Sequence, residues 1–73
     1  MGVIMIKRYK SDVVIKDGII TSSIDLSSLN STEVFSVMYS YNADYTECYL
    51  EIDASENFHT NTLANIQGLI LIE

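Results

Sequence analysis

The sequence predicts a mainly β chain, a small antiparallel sheet curled into a sandwich or barrel, with room for one short helix over residues 55–67. Three observations predict it. Apolar and polar residues alternate with a period of two along most of the chain, the apolar positions are rich in Val, Ile, Tyr and Phe, and Asp17-Gly18 interrupts two such runs as a two-residue turn signal. With 73 residues and no internal repeat or low-complexity stretch, residues 1–73 form one expected domain. At 48% apolar the chain is not disordered by composition, yet a chain of about 60 residues buries only about 60% of its unfolded surface. The core is therefore small, and the single cysteine, Cys48, offers neither an internal disulfide nor a zinc site. Such a domain depends on packing alone or on packing plus oligomerisation.

The first expected strand is Val3 to Tyr9. The next element, Asp12 to Leu26, is a hairpin turning at Asp17-Gly18, where a type I′ turn needs positive φ at both positions. Pairing across that turn sets Lys16 opposite Ile19, Ile15 opposite Ile20 and Val13 opposite Ser22. Val13, Ile15, Ile20, Ser22, Ile24 and Leu26 then share the face expected in the core, and Asp12, Val14, Lys16, Ile19, Thr21, Ser23 and Asp25 share the other.

A second hairpin is expected from Glu33 to Ala54, turning near Asn42-Ala43-Asp44-Tyr45. Parity governs its loop: three loop residues would put Phe35, Val37, Tyr39 and Tyr41 on the face of Glu47 and Glu51, whereas two or four keep the apolar sets together. A four-residue loop built around a type I turn is preferred, and it pairs Phe35 with Ile52, Val37 with Leu50 and Tyr39 with Cys48. Cys48 then points inward as a small apolar side chain rather than a nucleophile.

Between Ser55 and Gln67 the signals are balanced. Phe58, Thr62, Leu63 and Ile66 can form a helical stripe behind a Ser55 cap, but Asn57, Thr60, Asn61, Thr62 and Asn65 are poor helix formers. The last strand, Gly68 to Ile72, is apolar on both faces through Leu69, Ile70, Leu71 and Ile72. A run of that kind belongs in a strand covered on both sides or in a subunit interface.

The net charge is −6, and all four basic residues (Lys7, Arg8, Lys10, Lys16) fall in the first 16 positions against one acid, Asp12. That segment carries +3 and the remainder, with nine acids and no Lys or Arg, carries −9. A net acidic chain is a poor direct binder of nucleic acid, whose affinity for proteins comes largely from neutralised phosphates. Tyr45, Glu47, Tyr49, Glu51 and Asp53 occupy alternate positions of one strand, so Glu47, Tyr49, Glu51 and Asp53 form an acidic surface stripe. Alternate positions stand roughly 6.6 Å apart, close to the phosphate step of a nucleic-acid strand, which suits either mimicry of nucleic acid or an ordinary solvated face. Calcium fits less well, because a flat strand displays carboxylates without converging them.

Catalytic machinery is sparse. His59 is the only histidine, read as a surface or helix-face residue; no nucleophile elbow surrounds any serine and no glycine loop could cradle phosphate. An enzyme is therefore not expected, nor is a metal, a cofactor or a small-molecule substrate. The apolar Val3 to Ile6 precede the cations, the reverse of a secretory leader, and Met1-Gly2 lacks the Ser or Thr that a myristoylation pattern needs at position 6. No apolar run approaches a membrane span, so the Asn30-Ser31-Thr32 sequon is without a secretory route and cytoplasmic synthesis is expected.

In composition (short, β-rich, with many Ser, Thr, Asn and Tyr and few charges) the chain resembles small virus or phage structural proteins, without a shared motif. The resemblance implies a non-enzymatic structural or assembly subunit of a multi-copy complex, in a virion or the host cytoplasm, working as a homo-oligomer or with a protein partner. Its expected interface is Lys7, Arg8 and Lys10, which would meet the acidic surface of the next copy, with Leu69, Ile70, Leu71 and Ile72 as an apolar centre. The alternative is a small acidic inhibitor occupying the basic surface of a nucleic-acid-binding protein through the Glu47–Asp53 stripe.

Overall fold

The computed structural model describes residues 3–72, apart from the side chain of Leu26. The expected core position of Leu26 and the reading of Met1-Gly2 thus lie outside the described residues. The chain runs β1 (Ile4–Lys16), β2 (Ile19–Ser22), a 3-10 turn (Leu26–Leu29), β3 (Val34–Tyr41), β4 (Glu47–Ser55), α1 (Glu56–Asn61), a second 3-10 turn (Leu63–Asn65) and β5 (Ile70–Leu71). All pairs are antiparallel, in the order β2-β1-β4-β3, with β5 also on β1, and the sheet curls into a half-barrel.

The two strands expected at Val3–Tyr9 and from Asp12 are one. β1 runs unbroken for 13 residues, pairing with β4 from Ile4↔Ser55 to Asp12↔Glu47 and with β2 from Val13↔Ser22 to Lys16↔Ile19. The turn has the expected form, with φ of 53° at Asp17 and 77° at Gly18, and the expected pairs Lys16↔Ile19, Ile15↔Ile20 and Val13↔Ser22 all form.

The expected core face of this hairpin holds only at its base. Ser22 and Ile24 are buried and Val13 is half-buried, but Ile15 is 74% exposed and Ile20 is exposed as well. The reason is geometric: β4 ends opposite Asp12, so the hairpin beyond it is two-stranded and projects past the elements that cover the sheet. The strand also ends sooner than expected. β2 stops at Ser22, and the Asp25 carboxylate caps the following turn by accepting from the Ser27 amide at 3.0 Å.

The second hairpin keeps the expected parity but not the expected partners: Val37 faces Ile52, Tyr39 faces Leu50 and Tyr41 faces Cys48. Asn42 sets this register. Its Oδ1 accepts from the amides of Thr46 (2.8 Å) and Glu47 (2.9 Å), and the Asn42 amide donates to the Glu47 carbonyl, which closes a four-residue loop one position later than expected. Phe35 is not an inner residue; the register shifts between Val34 and Ser36, and this bulge leaves Phe35 60% exposed.

The inner face carries the core: Tyr9, Cys48, Leu50, Ile52 and Ala54 from the strands, closed over by Ile24, Leu29, Phe58, Leu63 and Leu69. α1 supplies Phe58 and begins as its sequence signal indicates, with the Ser55 hydroxyl accepting from the Phe58 amide at 3.1 Å. Its weak helix formers end it after six residues, and the chain continues in the short 3-10 turn.

Candidate functional site

Alternation along β4 puts Cys48, Leu50, Ile52 and Ala54 inside, and Glu47, Tyr49, Glu51 and Asp53 on the outer face. The pairing with β1 sets Asp12, Lys10, Arg8 and Ile6 directly opposite those four outer residues, on the same face. The Arg8 Nε lies 3.6 Å from the Glu51 carboxylate, and Lys10 lies beside Tyr49. The stripe is therefore mixed in charge, and the two charge blocks of the sequence are not two ends in space. Tyr49 donates to the Glu47 carboxylate at 2.6 Å, which raises the Tyr49 pKa. Asp53 Oδ1 is sealed from solvent without a hydrogen-bond partner among the described residues.

The remaining expected interface residues separate by face. Lys7 stands opposite Ile52, half-buried and on the other side of the sheet from Arg8 and Lys10. Leu69 is buried and belongs to the core. Ile70, Leu71 and Ile72 are each about half exposed, so the C-terminal strand is not covered on both sides within one chain. β5 lies along β1, with Ile70 opposite Lys10, Leu71 opposite Tyr9 and the Ile72 amide donating to the Arg8 carbonyl.

The outer face thus carries a broad apolar area. Ile4 and Ile6 of β1, Ile70 and Ile72, Tyr49 of β4 and Met38 of β3 are all exposed there. A shallow groove joins Ile72, Arg8, Tyr49 and Met38 into one surface. The hairpin tip adds Val14, Ile15, Ile19 and Ile20, exposed on both sides of its two strands.

The two side chains with the most chemistry lie inside. His59, expected on a surface or a helix face, lies on α1 and is only 2% exposed. Its Nε2 sits 2.8 Å from the Met5 carbonyl oxygen, to which it donates, and its Nδ1 2.7 Å from the Tyr9 hydroxyl, the tautomer with the proton on Nε2 leaving Nδ1 to accept from Tyr9. The rings stack at 5.8 Å. Burial raises the Tyr9 pKa, which suits a hydroxyl that donates. This arrangement pins α1 to β1 and occupies both ring nitrogens. Cys48 is fully buried, as its face requires, and burial raises its thiol pKa despite hydrogen bonds from Ser11 and Ser22. Those serines are themselves joined at 2.6 Å, which satisfies two hydroxyls inside the core.

Among the described residues no group of His, Cys, Asp and Glu could hold a metal ion, and no helix is long and apolar enough to cross a membrane. Sequence reasoning missed the apolar hairpin tip and the exposed Ile4, Ile6 and Met38. The available signal was the outer face itself, where Ile4, Ile6 and Val14 alternate with the inner set. No protein-family model, no curated protein and no solved structure matches the chain.

Proposed function

We propose that the protein is a non-enzymatic assembly subunit that holds copies of itself together in a multi-copy complex, of a virion or of another kind. One observation carries this reading. Among the described residues fifteen large hydrophobic residues are exposed, against ten hydrophobic residues buried in the core. Single exposed apolar residues are ordinary, but here they adjoin one another along β1, β5 and the hairpin tip, as surfaces destined for burial do.

The chemistry of the interior agrees with a binding role: the histidine is committed to Tyr9 and Met5, and the thiol is enclosed. Mimicry of nucleic acid finds less support, since Arg8 answers Glu51 within the same face. The test is sedimentation at tens of micromolar. The wild-type chain is expected above its monomer mass, with Ile70→Asp shifting it toward monomer; Ile70 is exposed, so the change leaves the fold intact. A wild-type chain that stays monomeric overturns the proposal.

A further inference from the structure

We infer that two copies pair edge to edge through β3, antiparallel and about a two-fold axis at Tyr39, joining two half-barrels into one continuous sheet. This rests on the self-assembly reading and names the contact within it.

β3 is the terminal strand of the order β2-β1-β4-β3. β5 lies on β1, so no strand covers the outer edge of β3 among the described residues. At eight residues it is twice the length of β2, and its sequence, Val34 to Tyr41, contains no charge, proline or glycine. Exposed edges are ordinarily blunted with charge, proline or brevity, because free N–H and C=O groups recruit another strand. Here the blunting devices are absent from the strand, apart from the bulge at Phe35 near one end.

The register follows from which groups point outward. The Asn42 amide bonds to the Glu47 carbonyl, so the main-chain groups of Asn42, Ser40 and Met38 face β4, and those of Tyr41, Tyr39 and Val37 face away. Centring an antiparallel partner on Tyr39 sets Tyr39 against Tyr39 and Val37 against Tyr41 of the other copy. Each of these three residues then donates and accepts, about six bonds in all. Every inner-face pair is apolar or aromatic, which covers the 55% exposed Tyr39.

Charge allows a second copy as occupant. The acids nearest the edge are Glu33 and Asp44, and this register places Glu33 against Tyr45 and Asp44 against Val34 of the partner copy, so no acid opposes an acid. The chain as a whole is at −6, yet its free edge is neutral and self-complementary.

The register gives a direct test. Opposed residues of a hydrogen-bonded antiparallel pair lie about 5.5 Å apart at Cα, within reach of a disulfide. In a Cys48→Ala background, Tyr39→Cys is expected to give linked dimer as the main product of mild oxidation, while Ser36→Cys and Ser40→Cys stay unlinked because neither meets its own copy. Tyr39→Pro removes only an outward amide, so it is expected to lose the pairing while the β3–β4 ladder remains. Tyr39→Lys, milder toward the fold, should do the same by charge repulsion at the axis. Circular dichroism confirms that each variant is folded.

A wild type that self-associates, with Tyr39→Cys unlinked and Tyr39→Lys at unchanged mass, overturns the edge pairing and leaves the assembly proposal standing. A monomeric wild type overturns both. A folded Tyr39→Lys variant that loses only a foreign strand-forming peptide, with no change in self-association, likewise overturns the second copy as occupant.

Discussion

Tyr9→Phe is the sharpest perturbation of the interior. The Tyr9 hydroxyl is 2.7 Å from His59 Nδ1, in a pair where Tyr9 and His59 are each 2% exposed. Phenylalanine keeps the ring and its stacking but leaves Nδ1 a buried acceptor without a donor, which costs about 1–3 kcal/mol. His59→Phe strands the Tyr9 hydroxyl and removes a second donor from the Met5 carbonyl, which Ala54 still faces in the β1–β4 ladder, and should also cost about 1–3 kcal/mol. For a domain of this size 1 kcal/mol moves Tm by about 4–8 °C, so Tyr9→Phe is expected to lower it by roughly 4–24 °C. Thermal unfolding followed by circular dichroism, at one fixed protein concentration, reads the shift. The double variant should cost less than the two single losses together, by about 1 kcal/mol or more. A Tyr9→Phe midpoint within about 2 °C of wild type, or strict additivity, refutes the bridge. The same group sets an alkaline limit. Because burial raises the Tyr9 pKa, the folded chain keeps a proton that the unfolded chain releases near pH 10. Its contribution is complete below about pH 10 and is lost as pH rises through the folded value. Tyr9→Phe should therefore make the alkaline fall in stability shallower, without abolishing it, since Tyr41, Tyr49 and Cys48 are also raised.

Two further predictions probe the turn and the register. A Cβ on Gly18 would meet nothing within 4 Å, so Gly18→Val should destabilise through φ alone, by about 1–3 kcal/mol, and Gly18→Asn by clearly less. Equal melting midpoints for the two variants would rule out the type I′ geometry. Cys48 should react with a maleimide only as the fold opens, on the order of a hundredfold or more slower than in denaturant. Equal rates would place Cys48 on the outer face and reverse the facing of β4.

What the sequence made legible is local. The Asp17-Gly18 turn fixed its own register, Ser55 announced the start of α1, and strict alternation sorted Glu47 to Ala54 into two faces. Each is decided by residues within a few positions of one another. β1 was harder, because its inner set includes Lys7 and Ser11 and its outer set includes Ile4, Ile6 and Val14, so polarity does not mark the faces. Ser11 is buried because Ser22 satisfies it across 11 positions, and His59 because Tyr9 and Met5 satisfy it across 50 and 54. Partners so distant are set by topology, which no local pattern carries. The bulge at Phe35 escaped for a related reason: the Asn42 loop sets one end of the hairpin, and the chain's return through Ala54 into α1 sets the other.

The fold also changes which force could hold copies together. Read along the chain, a +3 segment and a −9 remainder suggest head-to-tail attraction. Pairing of β1 with β4 consumes that separation, bringing Arg8 to 3.6 Å from Glu51 and Lys10 beside Tyr49. What remains between copies is the mutual repulsion of chains at −6, opposed by apolar surface on the outer face, the hairpin tip and the edge of β3. Salt screens the repulsion, over about 8–10 Å at physiological strength, and leaves burial and main-chain pairing nearly untouched. Association of this chain should therefore hold or strengthen as salt rises, where head-to-tail charge pairing would weaken, and that sign separates the two forces without any substitution.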